Sequence, residues 1–149
     1  LLRLYGGVNP TEVCPASVIV HTDGSCKRPH TQSAQAGAGI YFGDRNALNC
    51  CHRVPGEQTN NRAELYAILI AIQLAPLDCP LDLYSDSQYA IKLLSQWAPA
   101  LAKCGWSCTN GDVMRCIMGW IRARSAPINL IWIKGHSGNM HNDEADKLA

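Results

Sequence analysis

Four acidic side chains stand in four separate segments, each beside a turn signal or a strand-like run. They are Asp23 in Thr22-Asp23-Gly24-Ser25, Glu64 in Asn60-Asn61-Arg62-Ala63-Glu64-Leu65, Asp86 in Ser85-Asp86-Ser87 and Asp146 in Asn142-Asp143-Glu144-Ala145-Asp146. The chain holds only 12 Asp and Glu in 149 residues, so four in such settings are a large share of its acids. If the four converge, their mutual repulsion makes the cluster unstable without cations. Hard oxygen donors in that number suit two Mg²⁺ ions, with Mn²⁺ as a substitute. A cation pair held in this way serves phosphodiester cleavage.

Taken singly, each acid has a structural alternative. Asn61-x-x-Glu64 has the form of a capping box, in which the glutamate satisfies the Asn61 amide. Asp23-Gly24 is a common turn dipeptide. Asp86 before Ser87 can act as a helix N-cap. Asp146, beside Asp143 and Glu144, can complement a helix dipole. A fifth candidate is His136, in Trp132-Ile133-Lys134-Gly135-His136-Ser137-Gly138. A histidine held between glycines is badly placed for a core and well placed to move protons near neutral pH. Its alternative is an ordinary surface histidine.

The elements that must position these groups follow from the pattern. Ser17 to Thr22 is a β-branched run ending at Asp23-Gly24, which predicts a strand and then a turn. Ala36 to Gly43 predicts a glycine-containing strand, Asp44-Arg45-Asn46 a hairpin turn, and Ala47 to Val54 a third strand. A helix is expected from Arg62 to Ala75, ended by Pro76. Leu81 to Ser85 alternates like a strand, and Ser87 to Gln96 follows as a helix. Pro99 to Gly111 reads as irregular, with a short helix around Ala100 to Cys104. Val113 to Arg124 is amphipathic, with Val113, Ile117, Trp120 and Ile121 on one stripe. A last strand is expected over Ile128 to Ile133, and a final helix from Asn142, cut in mid-course.

Three leading strands with short connections suggest an antiparallel meander, and the later β-α-β order suggests parallel additions. The expected fold is α/β: one five-stranded mixed sheet with helices on both faces. Asp23 and Asp86 would then end two strands, where functional groups collect in open sheets. Glu64 and Asp146 would sit near the starts of their helices. Residues 1–17 are expected to form a peripheral arm, and residues 18–149 a single domain.

Composition narrows the rest. At 47% hydrophobic and 17% charged residues, the chain is globular. Its longest apolar stretch, Leu65 to Ala75, is too short to span a bilayer, so no membrane partner is expected. A net charge of +1 gives no broad electrostatic footprint for a polyanion, so binding of one must rest on local groups and cations. The start has no sustained apolar run, so a secretory leader is not expected. The eight cysteines include no C-x-x-C pair and read as reduced thiols of an intracellular protein. Zinc at Cys104, Cys108 and Cys116 with a histidine is the weaker alternative.

The segments Thr22-Asp23-Gly24-Ser25-Cys26, Thr59-Asn60-Asn61-Arg62-Ala63-Glu64-Leu65, Ser85-Asp86-Ser87-Gln88-Tyr89, Lys134-Gly135-His136-Ser137-Gly138 and Asn142-x-x-x-Asp146 occur in an order that resembles type 1 ribonuclease H. The resemblance covers residues 18–149, nearly the whole chain. It implies that Asp23, Glu64, Asp86 and Asp146 bind the metal ions and that His136 is the mobile histidine. It implies cleavage of the RNA strand of RNA–DNA hybrids by two metal ions, leaving 5′-phosphates. It further implies hybrid contacts at Cys26, Asn60, Asn61 and Gln88, and at Trp97 near the DNA backbone, a core tryptophan being the alternative there. Lys27-Arg28-Pro29-His30 departs from the family's glycine-asparagine turn, and Pro99 to Asp112 is shorter and less basic than the protrusion of some members. A monomer is expected, with fused partner domains outside this segment. Three classes stay open: a free-standing hybrid nuclease of fungal or other origin, the equivalent segment of a retroelement polyprotein, and a non-catalytic nucleic-acid-binding module of the same fold.

Overall fold

The computed structural model describes residues 16–135 and 138–149. The arm expected over residues 1–17, except its last two residues, and His136 with Ser137 therefore lie outside the described residues. Five strands form one sheet: β1 (Val18–Lys27), β2 (Gln35–Tyr41), β3 (Cys50–Arg53), β4 (Leu81–Ser85) and β5 (Ile128–Trp132). Their order is β3-β2-β1-β4-β5. β1, β2 and β3 pair antiparallel, and β4 and β5 add parallel to β1 and to each other. The helices are α1 (Asn60–Leu74), α2 (Gln88–Lys92), α3 (Ala98–Lys103), α4 (Gly111–Ala123) and α5 (Met140–Leu148), with a π-helical turn over Leu93–Trp97 joining α2 to α3. No helix among the described residues is long and apolar enough to cross a membrane.

Two glycines show that helices cover both faces. In the antiparallel β1–β2 pair, Gly24 faces Ala38 and Asp23 faces Gly39. Directly opposed residues share a face, and neighbours along a strand alternate. A Cβ on Gly24 would strike the backbone of Ala63 and Glu64 in α1, whereas one on Gly39 would strike the backbone of α5. So α1 lies on one face and α5 on the other. α1 buries residues around most of its circumference, including Leu65, Ile68 and Ile72, because α4 covers its outer side. α4 contributes Val113, Met114, Ile117, Met118 and Ile121 to that contact.

Several boundaries differ from the sequence expectations. β1 does not turn at Asp23-Gly24. It leaves β4 after the pair Thr22–Ser85 but stays paired with β2 as far as Lys27–Gln35. The β2–β3 connection is wider than a three-residue turn, since the Asn49 side chain accepts from Phe42 N and donates to Gly43 O, and this delays β3 to Cys50. α1 begins two residues early because Thr59 is the cap, its Oγ1 accepting from Arg62 N at 3.2 Å. α2 does not end at Gln96: helical backbone continues to Lys103 through the π turn. Pro99 lacks the N–H that would return to Ser95 and crowds that carbonyl, so the helix widens there. Trp120 is 36% exposed rather than on the buried stripe, and Met114 and Met118 take its place.

Candidate active site

The β1–β4 register places the first two acids. The last parallel pair is Thr22–Ser85, so Asp23 and Asp86 are the next residue on each of two neighbouring strands. Glu64 comes from the opposite side of the sheet. Gly24 has no side chain, α1 packs against β1 at that point, and Glu64 stands next to Asp23. One oxygen from each of Asp23, Glu64 and Asp86 can be chosen so that all three lie within 4.8 Å of one another. Asp146, from the second turn of α5, lies near enough to Asp23 to help raise its pKa, although it is outside the group of three.

The structural alternatives for three of these acids find other residues in place. Thr59 and not Asn61 caps α1, so Glu64 is the fifth residue of the helix and out of reach of a capping box. Ser87 caps α2, its Oγ accepting from Ala90 N at 3.1 Å, and Asp86 is not used for it. Asp23 lies inside β1 and not in a turn. The carboxylates are therefore not consumed by local structure.

The electrostatics show the strain of that arrangement. Burial, then the contact with Asp146, then the charge of Asp86 raise the Asp23 carboxyl to about 8, against a smaller opposing effect of the Gly24 amide. Burial, followed by the charges of Asp23 and Asp86, raises Glu64 to about 9. Glu64 Oε2 is buried without a hydrogen-bond partner. A donor set of three or four carboxylate oxygens, one of them orphaned and all repelling one another, fits a hard divalent cation.

The candidate substrate contacts do not all share one surface. Asn60 and Asn61 line a cavity of about 350 Å³ with Thr59, His30, Tyr89 and Asn110. Gln88 lines a separate groove of about 290 Å³ with Lys92 and Trp132. Cys26 is half-buried and its Sγ donates to Gln58 O at 3.2 Å. Trp97 is 49% exposed, so it is not a core tryptophan. Cys104, Cys108 and Cys116 are exposed free thiols, and the candidate metal group found among the described residues is the carboxylate cluster.

Other residues at the site went unread in the sequence. Asn142, 2% exposed, points its Nδ2 at Asp86 Oδ2 3.5 Å away. Trp132 Nε1 donates to Asp86 O at 3.1 Å. His21 is buried against Tyr84, with ring centroids 4.7 Å apart, and burial with His141 nearby lowers its pKa to about 4. Arg62 joins α1 to the start of α4 by a two-pronged pair with Asp112 at 2.9 and 2.7 Å. The one signal available in advance was the Asn142-x-x-x-Asp146 spacing, which sets both residues on one side of a helix.

The RNase H family model matches residues 15–149. Mouse ribonuclease H1 is 37% identical over 139 residues, covering 89% of this chain and 49% of that protein. The ribonuclease H of Xanthomonas campestris pv. campestris is 34% identical over 139 residues, covering 89% of each chain. The chain spans about half the length of the mammalian relatives it matches. The crystal structure of LC9-RNase H1, described as a type 1 RNase H with the type 2 active-site motif, superposes with a TM-score of 0.72 at 20% identity, over 92% of this chain and 72% of that one; this likeness speaks for the fold. By the extent of the family match and its identity to these relatives, the chain belongs to the type 1 ribonuclease H family.

Proposed function

We propose that this chain hydrolyses the RNA strand of RNA–DNA hybrids, with two Mg²⁺ ions held by Asp23, Glu64, Asp86 and Asp146, and leaves 5′-phosphate ends. The observation that carries the proposal is the convergence of Asp23, Glu64 and Asp86, with Asp146 close to Asp23. The names of the relatives, ribonuclease H and ribonuclease H1, support the substrate. When bound, the cation pair supplies an activated water and a stabilised leaving 3′ oxygen.

The chain's own residues have distinct parts in this reading. Asp23 and Glu64 hold their protons until cations displace them, and the four carboxylates together fix where the scissile phosphate must lie. His136 exchanges a proton with the leaving product. Asn60, Asn61 and Gln88 offer amides to minor-groove edges and to the 2′-hydroxyl that marks an RNA strand. Cys26 adds a contact from β1, and Trp97 an exposed aromatic face for the DNA strand. With a net charge of +1, hybrid affinity rests on these local groups and its salt dependence is shallow. The chain is read as an intracellular monomer, in keeping with reduced cysteines, and as joined to further domains, since it spans about half of the mouse relative.

A cleavage assay on an RNA–DNA hybrid, with and without Mg²⁺, tests the proposal against single-stranded RNA, duplex RNA and duplex DNA. Cleavage confined to the RNA of the hybrid, dependent on metal and leaving 5′-phosphates, is expected. Hybrid binding with neither cleavage nor specific Mg²⁺ uptake would replace the enzyme with a binding module.

A further inference from the structure

Asp86 is the member of the cluster with the least support from regular structure. It is the first residue past β4, and Ser87 then caps α2. The β4–β5 ladder reaches only as far as Ile133 N, which donates to Ser85 O at 3.0 Å. Among the described residues, the carbonyl of Asp86, one residue past that point, accepts from no backbone N–H. It is taken instead by a side chain: Trp132 Nε1 donates to Asp86 O at 3.1 Å. The indole thus ties β5 to the backbone of the residue whose carboxylate enters the cluster.

The other end of Asp86 is held from α5. Asn142 is 2% exposed and sets its Nδ2 at 3.5 Å from Asp86 Oδ2, while its Oδ1 is buried without a partner. Burying an amide half-satisfied is unfavourable, and the reversed amide would bring Oδ1 against the carboxylate. Its orientation is therefore set by Asp86. Gly135 completes the enclosure, since a Cβ there would collide with the Asp86 carboxylate.

Trp132 itself is 44% exposed on an edge strand, so packing does not account for a tryptophan at this position. We infer that Trp132 is a positioning residue for the metal ligand Asp86, acting on its backbone from β5, and that Asn142 positions its carboxylate from α5. The inference rests on the metal-site reading given above. Freed from the indole, the Asp86 peptide can rotate and its carboxylate leaves the position that a cation needs.

Trp132→Phe tests this because it keeps an aromatic ring and removes only the N–H. Calorimetric titration of Mg²⁺ into the variant is expected to show affinity about 10-fold weaker than the native chain. The metal concentration for half-maximal hybrid cleavage should rise by the same factor, with the metal-free melting temperature unchanged. Asn142→Ala, which reaches Asp86 from the other side, should weaken Mg²⁺ affinity as well. Unchanged Mg²⁺ affinity in Trp132→Phe overturns the inference, as does a loss that merely follows a lowered metal-free melting temperature. Absence of specific Mg²⁺ uptake by the native chain overturns the metal site and this inference together, which separates that failure from the failure of the positioning alone.

Discussion

Asp23 lies directly across the antiparallel β1–β2 pair from Gly39, and the space of the missing Gly39 side chain is occupied by the backbone of α5. A glycine on β2 thus decides how closely the last helix approaches β1. That approach carries Asp146 to Asp23. On the other face Gly24 does the same for α1 and Glu64. The cluster is assembled by two missing side chains on adjacent positions of opposite faces.

Gly39→Ala should therefore push α5 outward. The expected loss of stability is about 1–3 kcal/mol, the usual range for overpacking. Mg²⁺ affinity should fall as well, because Asp146 retreats from Asp23. Gly119→Ala is the control: a Cβ there meets nothing within 4 Å, and in mid-helix it should be neutral or stabilising by up to about 1 kcal/mol. Thermal melting and calorimetric Mg²⁺ titration of the two variants decide the matter, and equal behaviour would remove Gly39 from the argument.

The raised pKa values of Asp23, to about 8, and Glu64, to about 9, make metal binding a proton-releasing event at pH 7. Both folded values lie above the unfolded ones of about 4. Their contribution to metal-free stability is therefore complete below about pH 4 and is lost as pH rises through 8 to 9. Mg²⁺ titrations in buffers of different ionisation enthalpy should show proton release that declines toward pH 9. In metal-free protein, Asp23→Asn should raise stability at pH 9 by on the order of 1–2 kcal/mol, less than full linkage gives because solvent screens a partly open cluster. A pH-independent metal-free melting temperature between 5 and 9 would contradict it.

Much of the site was legible in the sequence because each acid sits beside a recognisable boundary, and β4 runs from Leu81 to Ser85 as its alternation predicts. What was not legible depended on tertiary partners. β1 changes its pairing at Thr22, losing β4 and keeping β2, so the local turn dipeptide Asp23-Gly24 is overruled. Thr59, Asn60 and Asn61 are all competent caps, and the local pattern does not choose among them. Arg62, whose Nε donates to Pro55 O and whose guanidinium binds Asp112, fixes the choice at Thr59. Gly24, Gly39 and Gly135 matter for what passes beside them, which no window along the chain contains.

Asp86→Asn should abolish hybrid cleavage, by about 10³-fold or more, and weaken Mg²⁺ uptake while leaving the metal-free fold intact. The fold should hold because the substitution removes one like charge from a repelling group. His136→Ala should behave differently: kcat falls by about 10²-fold, the range for a lost proton-transfer group, with Mg²⁺ affinity unchanged. Single-turnover and steady-state rates on one hybrid distinguish the two. Native turnover in His136→Ala would remove the histidine from the reaction.

The Arg62–Asp112 pair ties the start of α1, between Asn61 and Glu64, to the start of α4. Arg62 also reaches Asn110, which lines the same cavity as Asn60 and Asn61. The guanidinium beside Asp112 holds its carboxyl down at about 2. A depressed carboxyl contributes stability above its unfolded pKa of about 4, and that contribution is lost as pH falls toward 2. The Arg62 side chain is 10% exposed and that of Asp112 67%, so the two ends are not equivalent. Asp112→Asn leaves a buried guanidinium without its counter-charge and should cost about 2 kcal/mol, below the value for a fully buried pair. Arg62→Met removes the buried charge along with the pair and should cost less. Both should raise KM for hybrid more than they lower kcat, because they loosen the cavity wall and not the carboxylate cluster. Urea unfolding at pH 7 and pH 3 reads the stabilities: the Asp112→Asn deficit should shrink at pH 3, and a deficit independent of pH would show that the pair does not act through charge.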